Sequence, residues 1–151
     1  MAHSTIRFVG CFFLLLTAFA LSDCDSEYTT IPDREVFLRR DIDVIKLNAP
    51  GTYKCFTKAE LTSDRLGFGG LIVVHAFNGE YYAFDMACPK EVTPTIRIGN
   101  PDNMLVSTCG KCGESYELAF GLGTPTKGIS KAPLRVYNTY VDENNYIYVT
   151  P

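Results

Sequence analysis

The chain has 151 residues, with 14 basic against 17 acidic side chains, a formal net charge of −3, 46% hydrophobic residues, six cysteines and two histidines. That length fits one domain with its own core. A slightly acidic chain with no basic run lacks the electrostatic footprint of a nucleic-acid binder, so no nucleic-acid partner is expected.

Arg7 followed by the apolar residues 8–21, centred on Phe12-Phe13-Leu14-Leu15-Leu16, predicts a signal peptide over residues 1–23. The run is shorter than the about 20 apolar residues of a membrane span. Leu21-Ser22-Asp23-Cys24 has the Leu and Ser of a bacterial lipoprotein signal, with Asp where a small neutral residue is usual. It predicts an exported cell-envelope lipoprotein held at a membrane through a lipid on Cys24, with ordinary secretion as the alternative. Residues 24–33 are then the anchor and a short polar linker, and 34–151 one domain without repeats or low-complexity tracts. Cleavage removes Arg7 and Asp23 together, so the net charge stays at −3.

Strand signals dominate the rest. Residues 36–38 and 42–47 predict the opening strands, closed by the turn chemistry of Asn48-Ala49-Pro50-Gly51. Residues 52–70 read as a loop packing its Phe side chains on the sheet, with a helical turn at 57–61 as an alternative for part of it. Residues 71–77 and 80–85 flank Asn78-Gly79, the signal of a two-residue type I′ hairpin that sets Phe77 opposite Glu80 and His75 opposite Tyr82. Residues 95–98 and 104–108 are further strand candidates. A second hairpin joins 134–141 to 146–150 around Asp142-Glu143-Asn144-Asn145. No stretch of ten residues carries the 3.6 period of an amphipathic helix, so the expected class is all-β, a small antiparallel sandwich or barrel.

Cys11 lies in the apolar run and Cys24 at the cleavage site, which leaves Cys55, Cys88, Cys109 and Cys112 in the domain. In an exported protein four thiols permit two disulfides, in any of three connectivities. Cys88-Pro89-Lys90 and Cys109-Gly110-Lys111-Cys112-Gly113 each follow a strand, however, and two such loops held face to face by a sheet make a metal site.

The order of these segments, together with Tyr116, Gly121-Leu122-Gly123 and Gly128-Ile129-Ser130-Lys131-Ala132-Pro133-Leu134 before the closing hairpin, resembles the Rieske iron-sulfur family. Gly69-Gly70-Leu71-Ile72-Val73-Val74 and Tyr82-Ala83-Phe84-Asp85 also look like that family, and the likeness runs over residues 71–149. The resemblance implies a Rieske-type fold with a loop-built cluster-binding end and a [2Fe-2S]-type cluster working in electron transfer. Family members hold one iron on two cysteines and the other on two histidines. Cys88 and Cys109 stand at the cysteine positions, but Lys90 and Cys112 stand where the histidines belong.

Cys88, Cys109 and Cys112 are therefore the candidate ligands, with Glu91, Lys90 and Cys55 as candidates for the fourth. A lysine ligates only after losing a proton whose ordinary pKa is near ~10.4. Cys55 reaches the site only if the 52–70 loop folds over it. His75 reads as a half-exposed strand residue, not a ligand. A third thiolate adds negative charge, which moves a cluster toward the roughly −400 mV of plant-type ferredoxins, and removes the imidazole proton that couples electron transfer to pH. A structural zinc site on the same thiolates, or a metal-free, disulfide-stapled binding module, are the competing readings. No Ser/His/Asp set, phosphate-binding loop or spaced carboxylate pair marks an enzyme in its own right. The redox partner is not legible.

Overall fold

The computed structural model describes residues 30–151; the expected signal peptide, Cys24 and linker residues 24–29 lie outside them. The elements in chain order are β1 (Val36–Asp41), α1 (Ile42–Ile45), β2 (Thr52–Phe56), β3 (Arg65–Leu66), β4 (Leu71–His75), β5 (Tyr81–Asp85), β6 (Val106–Thr108), β7 (Ser115–Glu117), β8 (Pro125–Lys127), β9 (Val136–Val141) and β10 (Tyr146–Thr150). The fold is all-β. A seven-stranded, nearly closed antiparallel sheet runs in the order β2-β4-β5-β9-β10-β1-β3, and a smaller sheet in the order β6-β7-β8. Among the described residues no helix is long and apolar enough to cross a membrane.

Two apolar clusters share β4 and β5. Leu71, Val73 and Ala83 face one cluster with Leu38, Leu47, Ile147 and Val149, while Ile72, Val74 and Phe84 face the other with Leu105, Tyr116, Leu118 and Leu134. Every residue of β4 is buried, which is why it reads as a continuous apolar run, not an alternating one. The second cluster lies between the small sheet and the large one and fixes their relative position.

Four local expectations are corrected. Residues 42–45 form one helical turn, not strand, because Asp41 caps it by accepting from the Asp43 and Val44 amides and Lys46 closes it at φ 61. Ile42 and Ile45 are buried at helical spacing while Val44 is 75% exposed. Residues 52–56 are strand β2, paired Cys55 to Ile72, so only the stretch after Phe56 is loop, and 57–61 is not helical. The stretch 95–98 contributes two isolated bridges, Ala87 to Arg97 and Ile98 to Cys109, in place of a strand.

The first hairpin is one residue out of the expected register. Its loop is Phe77-Asn78-Gly79, closed by Ala76 N–H donating to Glu80 O at 2.8 Å, and Gly79 alone takes a positive φ, 86°. Asn78 instead bends over, accepting from Glu80 N–H and donating to Tyr82 Oη. His75 thus pairs with Tyr81, not Tyr82. It is buried, with its ring stacked at 4.3 Å on Tyr81 and Nδ1 2.7 Å from Leu47 O.

Asp85 ties the end of β5 to the loop before β4. Its fully buried carboxylate accepts from the amides of Phe68, Gly69 and Ala87 and from Tyr137 Oη, at 2.7–3.0 Å. A side chain at Gly69 would meet Ala87 N at 2.5 Å, so glycine is what lets this loop lie against the chain leading into Cys88.

Candidate metal centre

Two loops meet at one end of the molecule, and both are built alike. In the first, Cys88 O accepts from Glu91 N–H at 3.1 Å and Val92 N–H at 2.9 Å, and Val92 closes the turn at φ 47. In the second, Cys109 O accepts from Gly113 N–H at 2.9 Å, and Gly113 closes the turn at φ 74. The amides of each turn pull down the pKa of the sulfur that opens it: those of Glu91 and Lys90 act on Cys88, those of Cys112 and Lys111 on Cys109. Amide donors directed at sulfur favour the thiolate, the form that binds metals.

Cys88 and Cys109 are fully buried and Cys112 is half-buried. Cys88 Sγ lies 3.5 Å from Cys112 Sγ, and all three sulfurs fall within 4.8 Å of one another. The four described cysteines are free thiols. Burial pushes the Cys88 thiol up to about 12, against the pull of its two amides. Burial also raises Cys109, but the amides of Cys112 and Lys111 and the neighbouring thiols outweigh it and bring Cys109 below its ordinary value. Buried Tyr116 places its hydroxyl 3.8 Å from Cys88 Sγ, and burial, then the sulfur charge, raises its own pKa.

The residues expected to complete the ligand set are engaged elsewhere. Lys90 Nζ pairs with Glu114 Oε1 at 3.2 Å, which raises its pKa and holds the ammonium form. Glu91 Oε2 pairs with Lys111 Nζ at 2.5 Å. Cys55 sits on β2 with Sγ 3.9 Å from Asn100 Oδ1, its thiol raised by burial, and does not join the trio. Both ion pairs cross from one cysteine loop to the other.

Nothing in the sequence pattern singles out Glu114. Its carboxylate is buried, and Oε1 takes the amides of Ile129 and Ser130 as well as Lys90 Nζ. The Ile129 amide first, then Lys90, hold its pKa below the ordinary value against burial. A Cβ on Gly128, at φ 117, would overlap this carboxylate, so glycine there is the complement of Glu114.

The donor set is three sulfurs and no imidazole. His75, the histidine among the described residues, is at the Leu47 carbonyl, outside the group. A Rieske centre with two cysteine and two histidine ligands does not fit these side chains.

Neither a family model nor a curated protein matches the sequence. Solved structures do resemble it. The ferredoxin of carbazole 1,9a-dioxygenase from Nocardioides aromaticivorans IC177 is 21% identical at a TM-score of 0.50, over 77% of this chain and 98% of that one. A chain in the complex of reduced oxygenase and oxidized ferredoxin in carbazole 1,9a-dioxygenase is 19% identical at 0.49, over 76% and 93%. The ferredoxin of Sphingomonas yanoikuyae B1 is 14% identical at 0.43, over 68% and 88%. The first of these likenesses establishes a Rieske-like fold, and it is a likeness of fold alone.

Proposed function

We propose that the chain is an electron-transfer protein whose iron centre is held by the thiolates of Cys88, Cys109 and Cys112 at the cluster end of a Rieske-like fold. The observation that carries this reading is the construction of the two loops. Each presents a buried cysteine sulfur at the head of a like-built turn, and with a third thiol 3.5 Å from one of them all three sulfurs lie within 4.8 Å of one another. Backbone amides of the two turns, which favour the thiolate form, would do so in either oxidation state of a bound iron, and low polarity around the site limits reorganisation when an electron arrives. Iron would supply the one-electron couple; the protein supplies rigidity, from the two crossed ion pairs and from Tyr116 packed under Cys88.

In this reading the domain is exported and tethered by a lipid on Cys24, with residues 25–29 as the linker to the membrane surface where it meets a redox partner. The expected linker is shortened at its end, because Thr30 Oγ1 donates to Pro89 O and buried Ile31 accepts from Arg135 through its carbonyl, so both belong to the domain. The fold resemblance to ferredoxins supports electron transfer over a purely structural role, although fold by itself does not decide function.

The test is anaerobic purification of the exported protein followed by iron analysis and a potentiometric titration of its visible spectrum. A coloured protein with a reversible one-electron couple is expected. A colourless protein with stoichiometric zinc, or one without metal whose thiols disappear in air, overturns the electron-transfer assignment.

A further inference from the structure

We infer that the trio Cys88, Cys109 and Cys112 holds a single metal ion, not a two-iron cluster, with the fourth coordination position left to a small exogenous ligand. This deepens the proposed function and rests on it for the identity of the ligands.

The geometry of the sulfurs is the first argument. A four-coordinate ion with metal–sulfur bonds of about 2.3 Å sets its thiolates about 3.8 Å apart. The three Sγ atoms all lie within 4.8 Å of one another, with Cys88 and Cys112 at 3.5 Å, so one ion can touch all three with small side-chain shifts. A bridged pair of irons instead needs donors at both ends, the second pair beyond the bridging sulfides.

The far end has no such pair. Cys112 stands at one of the two histidine positions, but a cysteine is shorter than a histidine, and its sulfur lies back beside Cys88. Lys90 stands at the other, with its Nζ engaged at 3.2 Å by Glu114 Oε1. Glu114 does not join the sulfurs: Oε1 already takes three donors, and Oε2, buried without a hydrogen-bond partner, lies where a side chain on Gly128 would be. Glu91 is taken by Lys111. Among the described residues no other His, Cys, Asp or Glu joins the group.

A trio of sulfurs suits iron or zinc. With no protein donor among the described residues for the fourth position, and with Cys112 half-buried while Cys88 and Cys109 are fully buried, a water or small anion completes the shell from the solvent side.

The experiment uses the full exported chain, purified anaerobically, with metals and acid-labile sulfide counted per chain. The stripped protein is then titrated with cobalt(II), whose visible bands report tetrahedral thiolate coordination. One metal per chain, no labile sulfide and cobalt saturation at one equivalent are expected. Cys112→Ser should weaken cobalt binding beyond the ~10–100-fold that changes outside the ligand shell cause. Cys55→Ser should leave it within threefold. Because Cys112 is half-exposed, its variant should fold, and the circular dichroism spectrum verifies this.

Two irons and two labile sulfides per chain would overturn the single-ion site while leaving electron transfer standing. One redox-inert zinc would do the reverse. No metal and no cobalt binding would sink both.

Discussion

Val92 is β-branched and sits at φ 47, at the position where the matching turn of the second cysteine loop has Gly113 at φ 74. The left-handed region costs an L-residue about 1–2 kcal/mol, and glycine in its place gives back part of that in backbone entropy. Val92→Gly is therefore expected to stabilise the protein by about 0.5–1 kcal/mol in urea unfolding; a loss of stability would show that the Val92 side chain matters more to the loop than its φ. Asp64 is the opposite case, a residue whose charge is used. Arg40, donating at 2.7 and 3.0 Å, is the main cause that lowers the Asp64 carboxyl from its ordinary 3.8 to about 2. A carboxyl lowered by folding contributes stability above its unfolded pKa and loses it as pH falls through the folded value. Stability should thus decline between pH about 4 and about 2. In Asp64→Asn that acid step should shrink, with a neutral-pH cost of about 3 kcal/mol for leaving Arg40 half-paired. An unchanged acid profile would remove Asp64 from the account. That Cys88, Cys109 and Cys112 come together was legible in the sequence, because they stand at fixed spacing on two loops that each follow a strand. Glu114 was not, since its role depends on the amides of Ile129 and Ser130, which only the tertiary fold brings to it.

Three connections use one turn design, and it explains the error of register. Ala76 to Glu80, Asp102 to Val106 and Asp142 to Tyr146 each close a three-residue loop whose last residue is left-handed: Gly79, Leu105 and Asn145. Asp102 Oδ1 accepts from the amides of Met104 and Val106, and Asp142 Oδ1 from those of Asn144 and Tyr146. The Asn78-Gly79 pair signals a two-residue turn, and the third residue, Phe77, is indistinguishable from strand by composition. Both hairpins were legible, although β4 stops at His75, β5 starts at Tyr81 and β9 starts at Val136, inside the expected bounds; the register of the first was not, because it depends on which of two turns the backbone selects. α1 was missed for a related reason: a single turn is too short for periodicity to show, and only its Asp41 cap marks it. Leu105 cannot be relieved by glycine without emptying a fully buried apolar site, so the Asp102 bracket is what holds its φ of 57. Asp102→Ala, which removes two side chain to backbone bonds, should cost about 1–3 kcal/mol in thermal or urea unfolding. A cost within experimental error would mean that burial of Leu105 alone sets the turn.

At the scale of the molecule, the two cysteine loops belong to different sheets. Cys88 follows β5 of the large sheet, and Cys109 follows β6 of the small one. The apolar cluster around Phe84 and Tyr116 already packs the sheets together, and the pairs Lys90–Glu114 and Glu91–Lys111 cross the same boundary. A metal shared by Cys88, Cys109 and Cys112 would be a further link of the same kind, and a stronger one, since binding free energy to the native state adds directly to stability. Strands β1 and β10 pair with each other and contribute only to the first apolar cluster. Removing the metal with a chelator under anaerobic conditions should accordingly loosen the molecule unevenly. Amide hydrogen exchange is expected to rise tenfold or more in β6, β7 and the loop 109–114, and to stay within twofold in β1 and β10. Even acceleration across all strands would mean that the metal supports the whole fold as one cooperative unit. No change anywhere would mean that the apolar cluster and ion pairs hold the sheets without it.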